Sequence, residues 1–329
     1  MSTLVTGGSG VVGLALLKQL VSQGREVRAL VRSDTAAATV ARLGARPVRG
    51  DILDFSAVAS AMDGCDVVFH VAGYNEMCLA DPAMLFRVNV DGSRNTLRAA
   101  AAVGARRMVY TSSATTLGEE RGSVGNERSP HRGWFLSNYE RSKYEAERML
   151  LSEKTSVELV VVNPSSVQGP GRAAGTGKLF LDLINGRIPA VVDSHFSIVD
   201  IDDCGRGHLL AEASGLAGER YVLSGFTLST EEAVGLLEEV TGLRLRLPTL
   251  PGWLAMGGAG IVEMGSRAVR RRPRFCREMM RVMSFGHSYD GSRAVRDLGL
   301  EYTPARQTVR RTIEWFVQEG LVTRELPRM

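Results

Sequence analysis

Tyr139 and Lys143 are the two residues whose types and spacing most directly suggest catalysis. They lie four residues apart in SNYERSKYEAE, residues 137–147, so a helix would place both side chains on one face. Ser137 and Glu140 have the spacing of a capping box, which predicts a helix beginning at Ser137 with Tyr139 in its first turn. Such a pair can move a proton, but it also occurs on ordinary solvated helices. The rest of the sequence has to separate these interpretations.

The composition is that of an ordinary soluble globular protein. The chain has 329 residues, 44% of them apolar, and a net charge of +4, which allows one large domain or a domain with an added lobe. No charged tail is present, so nucleic acid is not indicated as a partner. The sequence enters a strand directly, without a secretory leader, which predicts a cytoplasmic location. The cysteines show no metal or CxxC spacing and are predicted to be reduced thiols: Cys65, Cys78, Cys204 and Cys276.

One stretch could contact a membrane, Trp253–Val269. It contains Glu263, Arg267 and four glycines, so it falls short of a spanning helix and no integral membrane segment is predicted. A lid or core helix is the preferred interpretation, and peripheral membrane contact stays open.

Strand and helix patterns alternate through the first half of the chain. The strands are apolar nearly throughout, which is typical of a parallel sheet covered on both faces. We therefore predict an α/β, Rossmann-type doubly wound sheet over residues 1–165, rejoined by about 196–224. Residues 166–195 and 225–329 are predicted to form a smaller, mainly helical substrate lobe. The predicted strands are 3–6, 26–31, 66–71, 107–112 and 158–163, and the predicted helices are 11–23, 36–43, 83–101 and 138–151.

The segment TLVTGGSGVVG reads as a strand, a glycine turn and the start of a helix. Gly7, Gly10 and Gly13 allow a sharp turn and close approach to a pyrophosphate, which the helix N-terminus also favours. The position at the first strand-to-helix turn predicts dinucleotide binding. At the end of the second strand, Arg32 stands where an NAD site usually has an acid, which favours NADP. Asp34 lies close by, so NAD remains the alternative.

With these motifs in place, the sequence resembles the extended short-chain dehydrogenases/reductases over nearly its whole length. The matching segments include TGGSGVVG, GDILD, HVAG, VYTSSATTLG, YERSK and VVNPSSVQGPG. Within that superfamily it most resembles the dihydroflavonol-reductase-like branch, which also contains 3β-hydroxysteroid dehydrogenases and hopanoid-associated sugar epimerases. The resemblance implies an NAD(P)-dependent oxidoreductase with a small-molecule substrate, and it suggests a homodimer formed through two helices of the first domain.

The resemblance also implies roles for particular residues. Ser113, Tyr139 and Lys143 would be the catalytic triad, with Lys143 also binding the nicotinamide ribose. Asp51 would meet the adenine, while Asn163 and Pro164 would lie beside the nicotinamide. The remaining implied cofactor contacts are Val11, Val12, Ile52, Val71, Ala72, Gly73, Asn89 and Thr111.

The chemistry of a carbonyl reduction agrees with this triad. Hydride transfer to a carbonyl carbon leaves negative charge on the oxygen, which needs a proton and a nearby donor. Shifting the pKa of a tyrosine from near 10 by about 3 units requires roughly 4 kcal/mol. One ammonium about 4 Å away, at an effective dielectric constant of about 20, supplies that amount. We therefore expect Lys143 to lower the pKa of Tyr139.

The same triad serves reductases and nucleotide-sugar epimerases. Sugar-nucleotide members usually carry an arginine where this sequence has Val160, and a less anionic, largely apolar substrate is therefore favoured. Ala114-Thr115-Thr116 replaces the acidic pair of dehydratases. We expect carbonyl reduction with NADPH; the alternatives are an epimerase with tightly bound NAD and a regulator that binds NADP without turnover.

Three further groups of residues have ordinary explanations. His70 is expected to be a packed, hydrogen-bonded histidine, and the other histidines lack metal spacing, so no metal site is predicted. Five methionines of the lobe are expected to pack between helices, with contact to an apolar, variable ligand as the alternative: Met256, Met264, Met279, Met280 and Met283. Seven arginines are expected to form a solvated face, with an acidic substrate tail or an anionic membrane as alternatives: Arg267, Arg270, Arg271, Arg272, Arg274, Arg277 and Arg281.

Overall fold

The computed structural model describes residues 2–269, 271–273 and 275–328. The strands of this part are β1 Ser2–Thr6, β2 Glu26–Val31, β3 Arg46–Arg49, β4 Val67–His70, β5 Arg107–Thr111, β6 Val124–Gly125, β7 Glu158–Pro164, β8 Ser166–Gln168, β9 Val191–Val192, β10 His195–Asp200, β11 Arg220–Leu223, β12 Phe226–Ser229, β13 Thr249–Leu250 and β14 Ser288–Tyr289. The helices are α1 Val11–Ser22, α2 Asp34–Ala41, α3 Phe55–Met62, α4 Ala83–Phe86, α5 Gly92–Ala102, α6 Asn138–Ser152, α7 Thr176–Ile184, α8 Ile201–Ser214, α9 Thr230–Thr241, α10 Gly252–Ala268, α11 Arg277–Phe285, α12 Ser292–Leu298 and α13 Ala305–Gln318.

Seven parallel strands form the central sheet in the order β11-β7-β5-β4-β1-β2-β3. Most of the side chains of these strands are buried on both faces because helices cover each side, whereas those of the edge strand β3 are largely exposed. On one face, α1 and α8 pack Leu16, Leu20 and Cys204 against the sheet. On the other face, α3, α5 and α6 contribute Met62 and Leu150, among others. The predicted doubly wound, Rossmann-type fold is confirmed.

The second half of the chain builds a smaller, mainly helical lobe. Its core lies between α7, α9 and α13 and includes Phe180, Leu237 and Phe316. A three-stranded sheet, β12-β10-β8, joins this lobe to the main sheet. From the segment 196–224, which we expected to rejoin the first domain, α8 and β11 do pack with it, whereas β10 pairs with β8 and β12. The division into two domains stays a prediction.

Two local features of the first domain departed from the sequence patterns. The strand β3 and the helix α3 were not predicted, although Asp54 caps α3 by accepting a hydrogen bond from the Ala57 amide at 3.1 Å. The single helix expected over 83–101 is interrupted by a π-helical turn at Arg87–Asp91, between α4 and α5. Such turns are frequent at functional sites. Here the turn carries Asn89, which is fully buried.

Helix α10 corresponds to the stretch predicted as a lid or core helix. Only Ala259 and Gly260 are buried along it, so it is a surface helix and the core interpretation is wrong. Met280 of α11 is buried as expected of a packing methionine, whereas Met264 of α10 is exposed. Among the described residues, no helix combines the length and the apolar character needed to cross a bilayer.

Cys78 and Cys276 are joined by a disulfide, with 5.7 Å between their Cα atoms. Cys65 and Cys204 are free and buried. The prediction of reduced thiols is therefore wrong for the first pair. The two bonded cysteines are separated by 198 residues, and only the folded chain brings them together.

Candidate active site

The glycine turn between β1 and α1 fits a pyrophosphate. Gly7 has φ +71°, and a Cβ placed on Gly13 would lie 2.2 Å from the carbonyl oxygen of Gly7. Within the described residues no side chain caps α1, whose N-cap is Gly10. The amides of the first helical turn, including Val11 and Val12, have no intrahelical acceptors and are suited to bind an anion. The turn therefore has the shape and the donors that a dinucleotide requires.

The end of β2 presents a cation near the turn. Arg32 is largely exposed, and its guanidinium lies 3.8 Å from the carboxylate of Asp51, which follows β3. The carboxylate of Asp34, whose proximity left NAD open as the cofactor, lies 3.3 Å from the guanidinium of Arg49. The acid close to Arg32 in sequence is thus engaged by another arginine.

The remaining residues predicted to contact the cofactor follow the carboxyl ends of neighbouring parallel strands, where ligands of such sheets bind. They lie after β3 (Asp51, Ile52), after β4 (Val71, Ala72, Gly73), at the end of β5 (Thr111) and at the end of β7 (Asn163, Pro164).

Asn89 braces the segment after β4. Its side-chain amide donates to the carbonyl of Tyr74 at 3.0 Å and to the hydroxyl of Ser142 at 2.8 Å, and its oxygen accepts from the Tyr74 amide at 2.7 Å. A Cβ on Gly73 would lie 3.3 Å from that oxygen and 3.8 Å from Nζ of Lys143. The hydrogen bonds of the Asn89 side chain thus hold the segment after β4 against α6. The expected contact of Asn89 with the cofactor stays a prediction.

Helix α6 begins as the sequence predicts. Ser137 is the N-cap, and its hydroxyl accepts a hydrogen bond from the Glu140 amide at 3.1 Å. The Glu140 carboxylate does not complete a capping box, because it pairs with Arg132 and accepts from the Leu136 amide at 2.8 Å. Tyr139 therefore lies in the first turn, and the residue as a whole is of intermediate exposure.

Lys143 is buried, and its ammonium is held by the end of β5. It donates to the hydroxyl of Tyr110 and to the carbonyl of Thr111, both at 2.8 Å. Burial lowers the pKa of Lys143 to about 7, and the carboxylate of Glu147 opposes this shift. A lysine held in this way changes its charge close to neutral pH.

The pKa of Tyr139 is raised, contrary to our expectation. Burial of the phenol outweighs the hydrogen bond with Ser113 and the charge of Arg172, both of which lower the pKa. The ammonium of Lys143 is directed to the end of β5, so the pairing assumed from sequence is not the dominant influence. Ser113 is near enough to Tyr139 for a hydrogen bond between their side chains to contribute to this pKa.

Arg172, in the glycine-rich segment 169–177, was not predicted as a site residue. Its guanidinium is close enough to influence Tyr139, and its Nε is buried without a hydrogen-bond partner in the described part of the chain. A charged group at this point can orient anionic parts of a ligand. The sequence contained no spacing signal for this residue.

Glu147 is a second residue that the sequence did not reveal. Its carboxylate accepts hydrogen bonds from the hydroxyls of Ser112 and Thr116 and from the amide of Asn163, and it pairs with Arg220 at 3.0 Å. This network fixes the loop after β5 that carries the candidate serine. The amide of Asn163 therefore points into the network, and its predicted contact with the nicotinamide remains untested. The position of Glu147 four residues after Lys143 was the available signal in the sequence for its role.

Helix α11 contacts the loop after β4 and the start of α6. The carboxylate of Glu278 accepts from the amide of Asn138 at 2.6 Å and from that of Cys78 at 3.0 Å. The disulfide between Cys78 and Cys276 also joins the loop after β4 to the start of α11. The start of α6, the loop after β4 and α11 thus meet beside Tyr139.

The buried histidines have structural roles. His70 lies between the hydroxyls of Thr6 and Ser93, at 2.7 and 2.9 Å, and burial lowers its pKa to about 3. His208 bonds with Thr111 and the Cys204 carbonyl, and burial lowers its pKa to about 4. In the part of the chain that the structure describes, no cluster of three His, Cys, Asp or Glu side chains could hold a metal ion.

The strand order, the glycine turn after β1 and the polar residues at the carboxyl edge define a dinucleotide-binding protein of the Rossmann class. The chain belongs to the NAD dependent epimerase/dehydratase family, whose sequence profile matches residues 3–223. The protein is an NAD(P)-dependent oxidoreductase of the extended short-chain dehydrogenase/reductase type.

Three curated proteins illustrate the relationship. A putative dihydroflavonol 4-reductase of Synechocystis sp. is 33% identical, and the match covers 97% of this chain and 95% of the relative. Sterol demethylase protein B of Methylococcus capsulatus is 32% identical, with coverage of 98% and 100%. The 4-hydroxy-2-methyl-3-oxo-4-farnesyl-3,4-dihydroquinoline-1-oxide ketoreductase of Stigmatella aurantiaca is 32% identical, with 91% of each chain covered.

Proposed function

We propose that the protein reduces a ketone or aldehyde of a small, largely apolar substrate, with NADPH as the hydride donor. Ser113, Tyr139 and Lys143 are the proposed catalytic residues. The observation that supports the proposal is that Tyr139, in the first turn of α6, is near enough to Ser113 for a hydrogen bond between the two side chains to lower the pKa of its phenol. A reduced nicotinamide bound from the glycine turn supplies the hydride.

Each residue of the triad has a separate task in this proposal. Ser113 donates a hydrogen bond to the substrate oxygen, and Tyr139 gives that oxygen its proton as the carbon becomes an alcohol carbon. The raised pKa of Tyr139 keeps the hydroxyl protonated before the reaction, as an acid requires. Lys143 donates to the carbonyl of Thr111 and lies near Gly73, and in this proposal it holds the nicotinamide ribose.

The preference for NADPH is supported by the charges at the end of β2. Arg32 is exposed next to the glycine turn and can pair with a 2′-phosphate. Asp34, which would repel that phosphate, is balanced by Arg49 at 3.3 Å.

The preference for an apolar carbonyl compound is supported by the relatives. Their names refer to a dihydroflavonol, a sterol and a farnesyl-bearing quinoline. Val160, the position of the arginine of sugar-nucleotide members, is fully buried in the sheet core.

The test is an NADPH-oxidation screen over ketones, aldehydes and flavonoid- or steroid-like compounds, run beside UDP- and GDP-sugars. The Tyr139→Phe variant should retain NADPH affinity and lose kcat by about 100-fold or more. Tyr144→Phe on the same helix is the matched control, since its hydroxyl contacts only exposed Arg148 at 3.3 Å among the described residues, and it should keep its activity.

The screen distinguishes the three candidate functions: a carbonyl reductase, an epimerase and a regulator without turnover. Conversion of a nucleotide sugar without net NADPH consumption would show that the protein is an epimerase and not a carbonyl reductase. Tight NADPH binding with no turnover of any compound would favour a regulator. A Tyr139→Phe enzyme with most of its activity would remove this tyrosine from the mechanism.

A further inference from the structure

Helix α10 exposes an apolar face to solvent. Its buried residues are the small Ala259 and Gly260, whereas its large side chains project outwards. The exposed fractions are 75% for Trp253, 70% for Ile261 and 69% for Met264. Surface helices ordinarily bury their apolar side, so this arrangement is inverted.

The exposed face is continuous and open. Leu254, Ile261 and Met264 follow one another at helical spacing, and Cβ atoms placed on Gly257, Gly258 and Gly265 would meet nothing within 4 Å. Within the described residues, the acidic side chain of α10 is Glu263, which is mostly buried and paired with Arg267 at 2.6 Å. The face therefore lacks an exposed negative charge.

The charge around this face is strongly positive. Residues 252–281 contain seven arginines and two glutamates, a net charge of +5 (7 − 2), against +4 (40 − 36) for the whole chain. Arg270 and Arg274 lie outside the described residues. Arg267 and Arg271 are exposed close to the end of the apolar face, whereas Arg272 pairs with Glu76.

This charge decides between two occupants of the face. A second copy would bring two segments of the same positive charge together, and their repulsion opposes self-association. An anionic lipid surface would attract each arginine that reaches it. Tryptophan and aliphatic side chains next to arginines are typical of helices that lie in a membrane interface.

We propose that α10 docks the protein on a bilayer that contains anionic lipids. Trp253, Ile261 and Met264 enter the interfacial region, while Arg267 and Arg271 meet the headgroups. The helix lies along the surface. Because the disulfide and the ion pair between Arg272 and Glu76 tie the adjoining segment to the loop after β4, docking brings that loop towards the lipid.

Vesicle co-sedimentation of the full chain tests this proposal. Vesicles of phosphatidylcholine with phosphatidylglycerol should bind the protein about tenfold or more better than phosphatidylcholine alone, and salt should weaken binding. The double variants Ile261→Asp/Met264→Asp and Arg267→Gln/Arg271→Gln should each lose most of that binding. Leu216→Asp, at a position 62% exposed in the turn before β11, is the matched control and should bind normally.

Two results would overturn the proposal. One is that the protein co-sediments equally with both vesicle types, or with neither of them. The other is self-association in sedimentation velocity that Ile261→Asp/Met264→Asp abolishes, since the face would then be an interface between copies. Circular dichroism and thermal unfolding of the variants ensure that lost binding is not lost folding.

Discussion

The ammonium of Lys143 donates a 2.8 Å hydrogen bond to the hydroxyl of Tyr110 and lies 4.5 Å from the centre of its ring. Tyr110 is fully buried in β5 and stacks on His70, with 5.6 Å between the ring centres. Residues of the strand β5 in the central sheet therefore hold the lysine side chain in position. Its position does not depend on Tyr139, one turn earlier in the same helix.

Lys143→Met is expected to inactivate the enzyme and to change how its stability depends on pH. The pKa of Lys143 is about 7 in the folded protein, below its ordinary value of 10.5. Between these values the unfolded chain binds more protons, so the free energy of unfolding of the parent protein rises with pH. The variant lacks this contribution, so its stability relative to the parent should be highest near pH 6 and fall by about pH 9.

Chemical denaturation at both pH values measures this difference. Lys154→Met, at an exposed position just after α6, is the control and should follow the parent at each pH. Parallel pH dependence of parent and Lys143→Met would show that the lysine keeps an ordinary pKa when folded.

Local signals in the sequence were sufficient to predict the elements around the glycine turn and the start of α6. The glycine turn, the strand before it and the start of α6 at Ser137 are each specified by residues within a few positions of one another. Backbone geometry and capping act over the same short range. These elements were therefore predicted at their correct positions.

Contacts between residues that are far apart in the sequence could not be predicted from such local signals. Glu147 meets Ser112, Asn163 and Arg220 only because α6, β5, β7 and β11 pack together. The raised pKa of Tyr139 arises from burial, which no spacing encodes. The inverted face of α10 also depends on which side of the helix packs on α11.

Gly13→Ala should prevent normal cofactor binding. The added Cβ would lie 2.2 Å from the Gly7 carbonyl oxygen and 2.7 Å from Cα of Gly8, so the backbone of the turn must move. A displacement of this kind should weaken NADPH affinity by about 100-fold, as measured by fluorescence titration. Gly235→Ala in α9 is the control: its Cβ meets nothing within 4 Å, and it should bind NADPH normally and be slightly more stable. Unchanged affinity in Gly13→Ala would exclude the turn as the pyrophosphate site.

Arg32→Gln should lower the affinity for NADPH selectively. Loss of the guanidinium removes the partner of the 2′-phosphate, so the Kd of NADPH should rise by about tenfold while that of NADH stays the same. Arg42→Gln, at the exposed end of α2, should leave both constants unchanged. An equal loss for the two cofactors would assign Arg32 to a part of the site that they share.

The bond between Cys78 and Cys276 should stabilise the fold and can be verified by thiol labelling. It closes a loop of 198 residues, so Cys78→Ser should lower the free energy of unfolding by about 2 to 5 kcal/mol. Guanidinium denaturation measures this change, and a reducing agent should destabilise the parent while leaving a Cys78→Ser/Cys276→Ser variant unaffected. Alkylation in denaturant without reductant should label the two free cysteines, Cys65 and Cys204. Labelling of all four before reduction would contradict the disulfide.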